Sequence, residues 1–480
     1  MMSVKPSPLP PLDQEAAKQV RQSYAQSRLW FLHQMEAQQV HHNVLVRMSL
    51  KGPALDIPRA KAALGIFVQY HSVLRTSYSN TSSGPQQNLM PFKEPTLQTV
   101  DFSSLEKANQ EHELKQWFIK ERKRPFDLSR GPVFRPYIIK LAEDRHEIGM
   151  VIHHIAFDGR SGEIFLLDLS EIYATGQLKS PPLQYADFAV WESNIITPDF
   201  ITQEINFWRD YLSGVPQLIQ FSGRPQREAE EKSALHQFTI ATDVIKQFKR
   251  VSKKQTVYKS LLTLFGLWVS YISEQKRFLI GTDIHGRNHP DLINIMGFFV
   301  NQMVIKHELD DDMTIDEALL TMNQSVKPAL AHNQVPFDIL VSELNSERDS
   351  NRPPFYQVKF NYQTDRFVTR KFGNTDIVHT EVVQDLANFD LVMDLVHGKE
   401  GILVRLEYNR QLFSTEDIER LSDLWMDIIL KFEDISGLTI SETLKTLKQW
   451  ENSLLLSRQQ TAAISKRPKI KRSLRKPVTV

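Results

Sequence analysis

The sequence predicts an α/β protein whose strands and helices layer into two lobes. Three observations carry that expectation. At 480 residues the chain exceeds what one hydrophobic core ordinarily serves, and suits two units of roughly 200 residues. Short apolar runs with strand spacing alternate with longer runs of helical spacing. Both halves are built this way, yet no tandem repeat links their residues.

The elements follow in order. Residues 1–18, with Pro6, Pro8, Pro10 and Pro11, read as a loose leader. The first lobe, 19–180, opens with a helix from about residue 27. A strand at 44–50, a helix at 57–70, an amphipathic helix at 106–122 and a strand at 134–141 come next. A strand–turn–helix unit ends the lobe, and Ser180-Pro181-Pro182 marks a hinge. In the second lobe, 181–450, a helix runs from 185 towards 211, broken near Pro198. A strand at 234–242 and helices at 242–252 and 257–273 precede a strand at 277–283, which enters the corner His285-Gly286-Arg287-Asn288. An apolar strand at 297–307, a helix at 313–332, a strand at 355–363, a hairpin of 389–396 with 401–408, and a closing helix at 414–432 complete it. Residues 451–480 form a tail with no acidic residue after Glu451. Its Lys466, Arg467, Lys469, Lys471, Arg472, Arg475 and Lys476 suit a solvated linker, or a docking segment for an acidic partner.

Composition narrows the function classes. Hydrophobic residues make up 41% and aromatic residues 10%, as in soluble globular proteins. A formal net charge of +1 supplies no global field for nucleic acid or membrane. The absence of cysteine excludes disulfides and a thiolate nucleophile, so any thioester substrate arrives on another molecule. The most apolar stretch, 260–269, is shorter than the ~20 residues a membrane span requires, and no apolar signal region opens the chain. A cytoplasmic protein, acting as a monomer, is expected. Glycine-rich phosphate loops and a Gly-Gly-x-Ser carrier site are absent, so the chain has no means of its own to activate or hold an acyl group.

The chemistry concentrates at His153-His154-Ile155-Ala156-Phe157-Asp158-Gly159. The apolar run 148–152 before it reads as a buried strand. Side chains alternate along a strand, which puts Ile148, Met150, Ile152 and His154 on one face and Val151 and His153 on the other. One imidazole then faces a cavity and the other the packed interior, a poor arrangement for a shared metal. Ser161 is an acceptable N-cap for the following helix, which reaches about Tyr173 and stops at Gly176. A neutral imidazole at that corner can take a proton from an attacking amine or hydroxyl. The Gly159 amide and the helix start can meet a developing oxyanion. Asp158 is expected to pair with an arginine and hold the loop, with Arg28 and Arg75 as candidates. The bland alternative is two core histidines and a capping aspartate.

The His-His-x-x-x-Asp-Gly string resembles the signature of nonribosomal peptide synthetase condensation domains, within the chloramphenicol-acetyltransferase-like superfamily. The resemblance extends over residues 20–445. It includes Ser23-Tyr24-Ala25-Gln26-Ser27-Arg28-Leu29-Trp30, His71-Ser72-Val73-Leu74-Arg75-Thr76, Tyr185-Ala186-Asp187-Phe188-Ala189-Val190-Trp191, Gly297-Phe298-Phe299-Val300-Asn301 and His332-Asn333-Gln334-Val335-Pro336-Phe337-Asp338. Arg160, Lys306 and Thr364 depart from the residues common at those positions.

The resemblance implies two acetyltransferase-like lobes forming a V-shaped pseudodimer around a central tunnel. It implies an acyltransferase that joins an acyl or peptidyl thioester donor to an amine or hydroxyl acceptor, giving an amide or ester. Both substrates would arrive on phosphopantetheine arms of carrier proteins, with no permanent cofactor and no metal. His154 and Gly159 would be catalytic. His153, Asp158, Arg28 and Arg75 would be structural at the active site. Ser161, Asn301, Lys306 and Thr364 would contact substrate or tunnel. Two other functions remain open: a coenzyme A- or carrier-dependent acyltransferase acting on a soluble small molecule, and a non-catalytic platform that recruits enzymes to a carrier.

Overall fold

A computed structural model describes residues 8–13, 15–35, 40–178, 183–221, 233–252, 255–344, 353–364, 371–383 and 389–465. In chain order the first part holds β1 (Gln19–Arg21), α1 (Tyr24–Met35), β2 (Asn43–Lys51), α2 (Ile57–Tyr70), β3 (Thr76–Thr81), β4 (Gly84–Leu89), β5 (Gln98–Asp101), α3 (Lys107–Arg122), β6 (Phe134–Ala142), β7 (Arg145–His153) and α4 (Gly159–Thr175). Then come α5 (Tyr185–Ile195), α6 (Pro198–Leu212), β8 (Ser233–Ala241), α7 (Thr242–Val251), α8 (Val257–Ser273), β9 (Arg277–Ile284), β10 (Asn301–Glu308), α9 (Ile315–Ala331) and α10 (Phe337–Leu344). The chain ends with β11 (Val358–Thr364), β12 (Lys371–Phe372), β13 (Thr375–Val383), β14 (Leu391–His397), β15 (Gly401–Asn409), α11 (Thr415–Leu430), α12 (Phe432–Ile435) and α13 (Ile440–Ser465).

Two six-stranded mixed sheets organise these elements. The first runs β12-β13-β2-β7-β6-β5 and the second β10-β9-β11-β14-β15-β8. Each packs on helices over its own core. Local chemistry explains the individual elements. Asp56 caps α2 by accepting from the Arg59 N–H at 3.0 Å, Pro58 occupies its first turn, and Ala60, Leu64, Phe67 and Val68 supply its buried face. α8 is buried on nearly every side because it fills the space under the second sheet, and Thr256 caps it.

The first sheet crosses the expected lobe boundary. β12 and β13 lie in the second half of the sequence, yet β13 pairs antiparallel with β2, matching Glu381 with Arg47 and Val383 with Leu45. Four strands of one half and two of the other therefore share one ladder. A third, three-stranded sheet, β1-β4-β3, was not evident from periodicity because its strands are short and polar.

Both ends differ from expectation. Leu9 of the supposed leader is 3% exposed, and its N–H donates to Asp291 at 3.0 Å. The Leu12 N–H donates to Asp187 at 2.7 Å. At the other end, α13 carries the chain helically to Ser465, so the supposed tail begins inside a helix. Glu451 pairs with Arg420 and accepts from the Tyr271 hydroxyl at 2.5 Å, while Arg458 pairs with Glu419 at 3.6 Å. The hinge Ser180-Pro181-Pro182 and the basic cluster from Lys466 lie outside the described residues.

Candidate active site

The site is built where β7 ends. Strand pairing stops at His153, opposite Asn43, and residues 154–156 make a single 3₁₀ turn. The two imidazoles separate because the backbone leaves the strand there, rather than by alternation along it. His153 is 2% exposed. Its Nδ1 accepts from the Ile155 N–H at 3.1 Å, and its ring meets His33 and Phe126 edge-on. Burial first, and then the neighbouring His42, His33 and His154, hold its pKa well below the ordinary value, so it packs as a neutral ring.

His154 is half-buried. Its N–H donates to the His42 carbonyl at 2.8 Å, and its ring stands edge-on to Phe298 with centroids 4.9 Å apart. Nδ1 lies 2.6 Å from the Phe157 carbonyl oxygen. A carbonyl can only accept, so Nδ1 carries the hydrogen and the neutral ring keeps its basic lone pair on Nε2. His42 is pushed down to about 4 by burial and by the charges of His154 and Arg28. Among the described residues no group of three or more histidine, cysteine or carboxylate side chains could hold a metal.

Asp158 fixes the corner. It caps α4, accepting from the Ser161 N–H at 2.8 Å. Its carboxylate also takes a two-pronged pair from Arg287, through Nη1 to Oδ2 and through Nη2 to Oδ1 at 3.1 Å, and accepts from the Phe299 N–H at 3.2 Å. Both charged side chains are buried, and the Arg287 guanidinium lies 4.0 Å from the centre of the Phe299 ring. The expected partners were Arg28 and Arg75. Arg75 instead donates to the carbonyls of Val68, Gln69 and Met90, closing the end of α2. Arg28 lines a cleft beside Asp338. Arg287 was not legible as the partner because 129 positions separate it from Asp158. The available signal was a cation in the Gly286 corner, which by itself reads only as ligand-like.

The other expected positions divide. Ser161 is fully buried at the third residue of α4, so Asp158 rather than Ser161 is the cap. The Ser161 hydroxyl accepts from the Gly297 N–H at 3.0 Å, which joins α4 to the 297–299 segment. Gly159 opens α4 and is exposed; a side chain there would meet no atom within 4 Å. Asn301 ties down the loop before α10, donating to Val335 at 2.8 Å and accepting from the Phe337 N–H at 3.0 Å. Lys306 lies five residues further along β10, roughly 17 Å away, against the Tyr211 ring and Glu308. Thr364 ends β11 opposite His397.

One junction was missed altogether. Tyr185 of α5 donates to the Phe298 carbonyl and shares a 2.8 Å hydrogen bond with the Ser23 hydroxyl beside α1. Gly297 must be glycine, because a Cβ would lie 1.9 Å from the Tyr185 ring. The cleft lies on this junction, walled by α1, α5, residues 286–301 and the loop before α10. His154 is not in its wall, although Phe298, which packs on His154, is held by Tyr185.

The geometry matches a known family. Residues 16–456 fit the model of the condensation domain. The chain belongs to the condensation domain family. It is 29% identical over 452 residues to bacitracin synthase 3 of Bacillus licheniformis, covering 92% of this chain and 7% of that protein. It is also 28% identical over 416 residues to the phosphinothricin tripeptide synthetase PhsC of Streptomyces viridochromogenes, covering 84% of this chain and 38% of that one. The chain thus spans a small part of the curated relatives it matches. Among solved structures, the condensation domain of the Monacolin K polyketide synthase MokA superposes with a TM-score of 0.77 at 16% identity, over 88% of this chain and 99% of that one. The X-domain from teicoplanin biosynthesis gives 0.76 at 21% identity, over 91% and 98%. Condensation domains share the pseudodimer fold, and the two six-stranded sheets here are its two halves.

Proposed function

We propose that this condensation domain is catalytic and joins an acyl or peptidyl thioester on one carrier protein to an amine or hydroxyl acceptor on another. The observation that carries the reading is the hydrogen bond from His154 Nδ1 to the Phe157 carbonyl, which keeps the ring's basic nitrogen at Nε2. The nucleophile attacks the thioester carbonyl and passes its proton to Nε2. The C–S bond then breaks, and the departing pantetheine thiolate takes that proton back from Nε2, which restores the neutral ring. The exposed start of α4 at Gly159 supplies backbone donors for the oxyanion formed between these steps. Asp158 and Arg287 position the corner and take no part in the proton transfer. The basic tail remains a candidate docking segment for a carrier.

The experiment is a three-way comparison. Carrier-bound, coenzyme A-bound and free acyl donors are offered with one amine acceptor, to wild type and to His154→Ala. Carrier-bound donors are expected to react fastest, and His154→Ala to lose about 10²–10⁴-fold in rate. Equal use of the coenzyme A donor would favour the small-molecule acyltransferase. The X-domain, solved in complex with OxyB from teicoplanin biosynthesis, gives the recruitment reading its support. Product formation unchanged in His154→Ala would favour it here.

A further inference from the structure

The edges of the two large sheets are treated unequally. In the first, β5 is four residues long and ends on Asp101, and β12 has only two residues. In the second, β10 carries Lys306 and Glu308, and the Lys306 N–H donates to the Tyr211 hydroxyl of α6 at 3.1 Å. Short length, charge and a covering element are the usual protections of a sheet edge. β8, the other edge of the second sheet, has none of them. It runs nine residues, Ser-Ala-Leu-His-Gln-Phe-Thr-Ile-Ala, with no Lys, Arg, Asp, Glu or Pro and an unbroken register against β15. On the outer side, residues 234–240 pair with no strand and make no backbone hydrogen bond among the described residues.

The two sheets invite a comparison. β2 pairs antiparallel with β7, the second strand of the β6–β7 pair, and β8 pairs antiparallel with β15, the second strand of the β14–β15 pair. β2 and β8 thus hold equivalent places. β2 is covered by β13, a strand from the other half. Among the described residues no segment does this for β8. Its side chains alternate: His236, Phe238 and Ile240 turn towards the helices, where the Phe238 ring meets Trp425 of α11, while Leu235, Gln237 and Thr239 are exposed. On that exposed face the register sets Glu407 beside Leu235, Arg405 beside Gln237 and Leu403 beside Thr239. Leu235 and Leu403 are large apolar side chains left in water.

We propose that β8 is a dimerisation edge. Two copies of this chain pair β8 with β8, antiparallel, about a two-fold axis at Gln237, and their six-stranded second sheets become one sheet of twelve. The strand suits pairing with its own reversal. With Gln237 on the axis, Leu235 meets Thr239 of the second copy, which has Leu403 of that copy at its other side. On the helix side, His236 meets Phe238 of the second copy. Such apolar and aromatic cross-strand pairs favour a ladder. No like charges meet directly: the two Arg405 side chains stand three strand spacings apart, roughly 14 Å. A net charge of +1 adds little long-range repulsion. Two strand edges cover less than the ~1,600 Å² of a standard interface, so the dimer is a weak one, with Kd on the order of tens of micromolar.

Sedimentation velocity from about 1 to about 200 μM tests this. The mass is expected to rise from 55.6 kDa towards twice that value. Gln237→Glu sets a carboxylate beside Arg405 within one chain but two carboxylates face to face across the axis. It should weaken self-association about tenfold or more, with the melting temperature unchanged. Gln237→Cys puts two thiols on the axis of a chain that has no other cysteine. Directly opposed residues have Cα atoms ~4.5–5.5 Å apart, within reach of a disulfide. Mild oxidation should therefore cross-link Gln237→Cys and leave Thr239→Cys largely single, since its two copies stand four residues out of register. A chain that keeps its single mass across the range overturns the proposal. So does a dimer that Gln237→Glu leaves intact, or one that cross-links through Thr239→Cys as readily as through Gln237→Cys. Should Gln237→Glu fail to fold, the contrast between the two cysteine variants decides alone. The catalytic reading stands or falls separately, on the His154→Ala comparison.

Discussion

At the scale of single residues, a carbonyl oxygen determines what His154 can do. Phe157 fixes the tautomer, and the turn that presents Phe157 is held by Asp158. Under the proposed mechanism the Asp158–Arg287 pair acts on rate only through the shape of this corner. Arg287→Ala would strand a buried carboxylate, and we expect a loss of about 3–5 kcal/mol in unfolding free energy, read by urea titration. Rate should fall with stability in that variant, whereas His154→Ala should lose rate with its melting temperature nearly unchanged. Equal stability of Arg287→Ala and wild type would remove the pair from its structural role. Glu192 gives a second residue-scale prediction. Burial raises its pKa from the ordinary 4.5 to about 7, against the opposing hydrogen bond from the Tyr24 N–H and the charge of Arg21. Between those values the folded chain holds a proton the unfolded chain has released, so this group's contribution falls as pH rises through the window. Glu192→Gln should gain on wild type in melting temperature from pH 5 to pH 8. A constant difference across that range would refute the assignment.

At the scale of elements, what could be read locally was read well. The strand into the histidine pair, the helix after it, and the helices of residues 57–70 and 257–273 are each set by their own caps, breakers and periodicity. What failed depended on distant partners. Residues 9–12 have no periodicity, and among the described residues Asp291 and Asp187, far along the chain, accept from their backbone. The end of α13 reads as linker by charge, because its anchors, Arg420, Tyr271 and Glu419, lie far back in the chain. That contrast predicts a truncation series. Ending the chain after Trp450 removes Glu451 and Arg458 and should lower the melting temperature by a few degrees, as ~1–2 kcal/mol would. Ending it after Ser465 should leave the melting temperature unchanged. Identical melting of the two truncations would place 451–465 outside the folded unit.

At the scale of the whole molecule, the two halves of the sequence are not two independent domains. The site was legible as a motif, but the sharing of a sheet was not, since no local pattern tells residues 375–383 that their partner is β2. The consequence is physical. Without β13, the whole edge of β2 would lie open, and an unpaired edge invites aggregation. The Asp158–Arg287 pair would be cut as well. Chains of residues 1–178 and 183–480 are therefore expected to fold together and not apart. The first fragment alone should be insoluble or melt without cooperativity, and mixing should restore a single transition and the carrier-dependent activity. Replacing residues 371–383 by a flexible Gly-Ser linker in the second fragment should weaken association by about a hundredfold or more, equivalent to ~2.7 kcal/mol. That loss should exceed the one from Arg287→Ala in the same fragment, because a strand contributes a ladder and a covered edge where the arginine contributes one ion pair. A first fragment that folds cooperatively by itself, or a linker variant that assembles as tightly as the parent, would mean that β13 is an ornament on a self-sufficient lobe.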